Sequence, residues 1–162
     1  MNFSRSPIQK LNIFLGGPLV GLIIVTACSS PRVALRERLI SALEQKRGND
    51  HQVIVPLKQV TGFAWDKFYA FGPYTAAAQI NRQLGFDWPG AANTGIEHQD
   101  QFDLLIFVKD DNVVEYVTYP REHGDFYKLR KSGYAPDEAI FEIRLEDHGI
   151  PMLVPVEIAS RR

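Results

Sequence analysis

Polar and apolar positions along the chain follow two regimes that change near residue 30. Leu11 to Ile24 is an unbroken run of apolar and small residues except for Asn12. Gly16, Gly17 and Pro18 weaken a continuous helix there. Counted to Thr26, the run is also shorter than the ~20 residues that span a bilayer. Beyond it the pattern becomes periodic. Leu35, Leu39 and Leu43 recur at every fourth position with Ile40 beside them, which predicts a helix. Ser30 is placed to cap it, Pro31 to take its first position and Gly48 to stop it. Val53 to Leu57 is a short β-branched run. Phe63 to Phe71 is a longer strand pattern with Phe63, Trp65, Tyr69 and Phe71 expected on one face at period two. Gly72-Pro73 ends it. Thr75 then caps a helix over Ala76 to Leu84, with Gly85 as its stop, and a loop runs to about Asp100.

Leu104 to Val108 is apolar throughout and predicts a central strand. Lys109-Asp110-Asp111-Asn112 is the turn of a hairpin that returns through Val113 to Tyr119. Pro120 to Pro136 reads as irregular. Phe141, Ile143 and Leu145 alternate with Glu142 and Arg144, a half-buried strand. Asp147-His148-Gly149 turns the chain into a last edge strand, Met152 to Ile158, where Pro155 is tolerated. Hairpins with separate helices predict the α+β class. The expected architecture is an antiparallel sheet of about five to six strands with two helices on one face.

The sole cysteine, Cys28, closes the apolar run, so no disulfide can form within the chain, and a lone Cys makes a poor metal site. Arg5 and Lys10 precede the run with no acid among the first ten residues. A basic start, a short apolar core and small residues at a cut site describe a signal peptide. A transmembrane anchor with a chance Cys is the plainer alternative. Val25-Thr26-Ala27-Cys28 resembles the lipobox of bacterial lipoproteins. That resemblance implies removal of residues 1–27, a diacylglycerol on the Cys28 thiol and acylation of the new amine by a fatty acid such as palmitate. Two or three acyl chains anchor a domain stably where one holds only marginally. Ser29 after the Cys resembles the sorting pattern of outer-membrane lipoproteins facing the periplasm. In a Gram-positive envelope the same motif implies the outer face of the cell membrane.

Removing the first 27 of 162 residues leaves one extracytoplasmic domain, residues 28–162, of 135 residues. Losing Arg5 and Lys10 takes the formal net charge from −1 to −3. A mildly acidic domain without a basic run excludes nucleic acid as the expected partner. No repeat, low-complexity linker or cofactor motif is visible. Trp65 to Thr75, "WDKFYAFGPYT", and Leu84 to Trp88, "LGFDW", resemble segments of small bacterial lipoproteins and secreted proteins of unassigned function, as do Leu104 to Val117, Pro120 to Phe126 and Pro136 to Phe141. This likeness implies a compact domain and no particular chemistry.

Chemistry-bearing residues are sparse. Every His follows an acid, and two recur as EHxD at Glu97 to Asp100 and Glu122 to Asp125. In an extended loop such a His and Asp share a side and could bind a metal, but the spacing fits no ligand motif and no metal is expected. Asp66 interrupts an apolar strand and needs a partner if buried. Arg121, with its rigid fork, is the expected partner. A ligand site built from Asp66, Arg121, His123 and Asp125 is the alternative. Arg32 and Arg36 lie four apart on the first helix. They are expected on a solvated face, with contact to anionic headgroups as the alternative. No serine has a GxSxG context, and no acid pair is singled out for general acid–base work.

The leading expectation is therefore a lipid-anchored envelope protein, not an enzyme, whose domain binds another envelope component, most simply a protein. An inhibitor or immunity protein against a toxin or lytic enzyme comes second, and an exposed acidic loop at Asp100 to Asp103 would favour it. An envelope hydrolase comes third.

Overall fold

The computed structural model describes residues 30–47, 54–126, 129–145 and 151–156. The expected signal segment, Cys28, the expected helix stop at Gly48 and the expected turn at Asp147 to Gly149 lie outside them. The elements among the described residues run α1 (Pro31–Arg47), β1 (Ile54–Pro56), α2 (Leu57–Thr61), β2 (Lys67–Phe71), α3 (Ala77–Leu84), β3 (Phe102–Lys109), β4 (Asn112–Pro120), β5 (Ile140–Leu145) and β6 (Pro151–Pro155). Short 3-10 turns occupy Pro89–Asn93, Ile96–His98 and Arg121–His123.

The α+β class and the antiparallel pairing are as expected. The strands form two three-stranded sheets, ordered β1-β5-β6 and β2-β3-β4. The irregular stretch after β4 carries the chain from the second sheet to the first. There Tyr134 bridges to Phe68 and Asp125 bridges to Met152, so the connection adds to the open edges of β2 and β6.

β3 is the centre of the molecule, because its two faces serve two cores. Leu105 and Phe107 point into a core that also holds Leu35, Leu39 and Leu43 of α1, Val55, Phe68, Phe126, Phe141 and Leu153. Leu104, Ile106 and Val108 point into a second core with Tyr69, Phe71 and Ile80 and Leu84 of α3. A strand covered on both faces must be apolar at every position, which accounts for its uninterrupted run. The same arrangement puts α1 and α3 on opposite faces of this sheet, where helices on one face were expected.

The aromatic stretch also divides differently. α2 ends at Gly62, whose φ of 72° is the left-handed cap, so the chain has not yet entered a strand at Phe63. Phe63 and Trp65 turn back onto Phe107, at centroid distances of 5.3 and 5.5 Å. The Trp65 indole N–H donates to Thr61 Oγ1 at 3.0 Å. Tyr69 and Phe71, inside β2, face the second core. The hairpin after β3 closes on Asp110 and Asp111 alone, with φ of 49° and 56°. A two-residue turn with both φ positive suits the strand twist.

Candidate functional site

Asp103 sits one residue into β3, in register with Tyr119 of β4, on the face that continues through Leu105 and Phe107. Its side chain is fully buried. Immediately after β4, the turn at Arg121–His123 and Gly124 fold the chain back over it. The Phe126 backbone N–H donates to Asp103 Oδ2 at 2.6 Å. This bond fixes Phe126, whose ring packs on Tyr119, Phe68 and Phe141.

Arg121 closes the other side. Its Nε and Nη2 donate to Asp125 Oδ2 at 2.9 and 2.5 Å, and its Nη1 donates to the Asp100 carbonyl at 2.9 Å. Asp103 Oδ1 stands 3.9 Å from Arg121 Nε. Two buried carboxyl groups therefore share one guanidinium. Burial, opposed by the Phe126 N–H bond and reinforced by the neighbouring Asp125 carboxyl, raises the Asp103 pKa from 3.8 to about 7. Burial alone would lower the Arg121 pKa, but the hydrogen bond and charge of Asp125 and the charge of Asp103 outweigh it and hold the guanidinium above its ordinary value.

The backbone of this turn joins the two sheets. Asp125 N–H donates to the Pro151 carbonyl at 2.8 Å, and Leu153 N–H donates to the Asp125 carbonyl at 3.0 Å. The side-chain node ties the segment to β3, while its main chain pairs with β6. Gly124 permits the close approach: its φ is 149°, and a Cβ there would lie 2.4 Å from Leu153 Cδ1.

Arg121 and Asp125 are thus brought together as one site, but the other two of the four expected residues, Asp66 and His123, do not join them. The expected Asp66–Arg121 pair does not exist. Asp66 precedes β2 and stands at the β3–β4 hairpin, where Oδ2 accepts the Asp110 N–H at 3.0 Å and Oδ1 lies 3.7 Å from Lys109 Nζ. Arg121 follows Pro120, which pairs with Phe102 at the opposite end of β3. Seven strand steps of about 3.4 Å, Phe102 to Lys109, separate those ends by roughly 24 Å. Asp66 is also more than half exposed, so it does not need a buried partner. His123 turns away from the acid pair toward α1, with Nδ1 3.1 Å from Glu44 Oε1 and Nε2 3.6 Å from Glu122 Oε1.

The two EHxD stretches lie across 3-10 turns, not extended loops, so the same-side geometry proposed for their His and Asp is not formed. Among the described residues no three His, Cys, Asp or Glu side chains gather in metal-binding reach. The acidic stretch Asp100 to Asp103 is exposed only in part. Asp100 is exposed, but Asp103 points inward and is sealed.

Sequence reasoning missed Asp103 as part of this site. Its signal was period two: Asp103 shares a face with Leu105 and Phe107, so an acid there must enter the core.

At the N-terminal end of α1, Arg32 in the first turn crosses to β4. Its Nε lies 3.2 Å from Glu115 Oε1, its Nη1 donates to the Tyr116 hydroxyl at 2.8 Å, and its guanidinium lies 4.0 Å over the Tyr116 ring. Arg36 Nε lies 3.6 Å from Glu37 Oε1. A cleft of about 240 Å³ opens between α1, β4 and the Pro89–Asn93 turn, lined by Arg32, Arg36, Asn93, Thr94 and Thr118. No helix of the described residues is long and apolar enough to cross a membrane. Comparison with known protein families, with curated proteins and with solved structures finds no match to this chain.

Proposed function

We propose that the chain is a bacterial envelope lipoprotein, held to its membrane by lipid on Cys28, whose domain works by binding another envelope protein. The lipobox-like Val25-Thr26-Ala27-Cys28 and the basic, then apolar, segment before it are the basis for the anchor. The observation that carries the reading is where the fold begins. α1 starts at Pro31, three residues after Cys28, and Leu35, Leu39 and Leu43 are buried in the main core. The domain has no spacer, so it presents its surface at a fixed place against the membrane, as an interaction module does. The acid pair most able to do proton chemistry is enclosed by its own turn and by β6, which favours a structural role over contact with a substrate. The inhibitor reading loses its specific support, because Asp103 faces inward.

The test is crosslinking of the tagged protein in cells, with capture and mass spectrometry, beside Cys28→Ala as the unanchored control. One dominant envelope protein, lost in the control, is expected. Absence of any partner in both samples overturns the binding role, and a mature N-terminal peptide without lipid overturns the anchor.

A further inference from the structure

We infer that the face around the cleft between α1 and β4 docks on the membrane itself, with Arg36 and Arg32 meeting the phosphates of anionic phospholipid headgroups. This rests on the lipid-anchor reading above. Three residues reach at most ~11 Å even when fully extended. The headgroup layer of one leaflet is roughly 5 to 8 Å deep. A diacylglycerol on Cys28 would therefore bring Pro31 and the turn after it into or onto the headgroups, whatever path residues 28–30 take.

The surface delivered there has matching chemistry. From residue 28 to residue 36 the chain has two arginines and no acid. Glu115, the acid closest to Arg32, is largely buried and already spent on it, while the Arg32 side chain stays more than half exposed. The bond to Tyr116 fixes the Arg32 guanidinium at the rim. Arg36 Nε lies 3.6 Å from Glu37 Oε1, an exposed pair of the kind that contributes little and is readily exchanged. Val33, between them, is 37% exposed and apolar, as suits a surface facing the headgroup and acyl boundary. Asn93, Thr94 and Thr118 add polar groups on the far wall.

The test uses the processed protein, first weighed to confirm lipid on Cys28, then reconstituted into phosphatidylcholine vesicles or phosphatidylcholine–phosphatidylglycerol vesicles. Amide hydrogen exchange is read at 32–36, 93–94 and 116–118. Each arginine near an anionic surface should raise the docked-to-undocked ratio by about fivefold in the mixed vesicles, read as slower exchange there. Arg36→Gln should remove its share, and Arg82→Gln, on α3, should remove none. Equal exchange in both vesicles, no effect of Arg36→Gln, or an equal effect of Arg82→Gln overturns the docking face. So does the same protection from inorganic phosphate over phosphatidylcholine alone, which would make the cleft a free-anion site. A Cys28 thiol without lipid overturns the anchor reading itself, and is recognised by mass before any exchange is measured.

Discussion

Replacing Asp103 by Asn isolates the proton held at the centre of the seam. In the folded protein this carboxyl keeps its proton up to about pH 7, whereas its ordinary value is 3.8. Each tenfold difference is about 1.4 kcal/mol, so the span amounts to roughly 4 kcal/mol. Between these values the folded state binds one proton more than the unfolded state, so stability falls as pH rises. The contribution is fully present below about pH 3.8 and is lost once pH has risen through about 7. Asn matches the protonated acid. Its carbonyl can accept the Phe126 N–H, and its amide can donate toward Asp125.

The expected result is therefore a crossover. At pH 4.5 the variant should lie within about 1 kcal/mol of the parent. By pH 8 it should be more stable, by as much as roughly 4 kcal/mol. Urea unfolding at several pH values, with m unchanged, measures the difference and cancels the other titrating groups. If Asp103→Asn is less stable at pH 8 than at pH 4.5 relative to the parent, Asp103 is an ionised partner of Arg121 and the reasoning is wrong.

Arg121→Met should destabilise the domain at pH 6 by roughly 2 to 3 kcal/mol in urea unfolding, because Asp125 loses its two charged donors. Gly124→Ala should lower stability by about 1 to 3 kcal/mol through contact with Leu153 and a strained φ, read as a reduced thermal midpoint. Asp66→Asn should cost less than about 1 kcal/mol, since its ion pair with Lys109 is exposed. A larger loss on denaturation would mean that Asp66 supports more than the hairpin turn.

Elements with a repeating pattern were legible because burial imposes the repeat. The leucines of α1 and the two-faced run of β3 are of this kind, and both appear where expected. What the pattern could not convey was which face of one element meets which face of another. Phe63 and Trp65 fit the strand alternation of Tyr69 and Phe71, yet α2 holds them against the opposite face of the sheet. The polar site failed for a related reason. Arg121 and Asp125 were visible as neighbours in sequence, but choosing Asp66 as the arginine's partner required knowing which end of β3 each approaches. Asp103 could be recognised from its own strand, because the alternation that buries Leu105 also buries the acid two residues before it.

The position of α1 decides how an anchor at Cys28 would act on the rest of the domain. Its first turn is fastened to β4 by Arg32 on Glu115 and Tyr116, and Glu44 near its end meets His123 in the turn that covers the acid pair. Between these contacts Leu35, Leu39 and Leu43 are at most 1% exposed. Burying each such side chain contributes about 1.5 to 3 kcal/mol, so freeing the helix would forfeit a large part of the stability typical of a domain this size. The helix is a wall of the core and cannot serve as a pliable tether. A lipid on Cys28 would then orient the whole domain as well as localise it, since only the few residues before Pro31 remain to bend. Lengthening that segment with a flexible insert should leave stability and lipidation intact while relaxing the orientation, and a partner that requires a fixed approach should be captured less well.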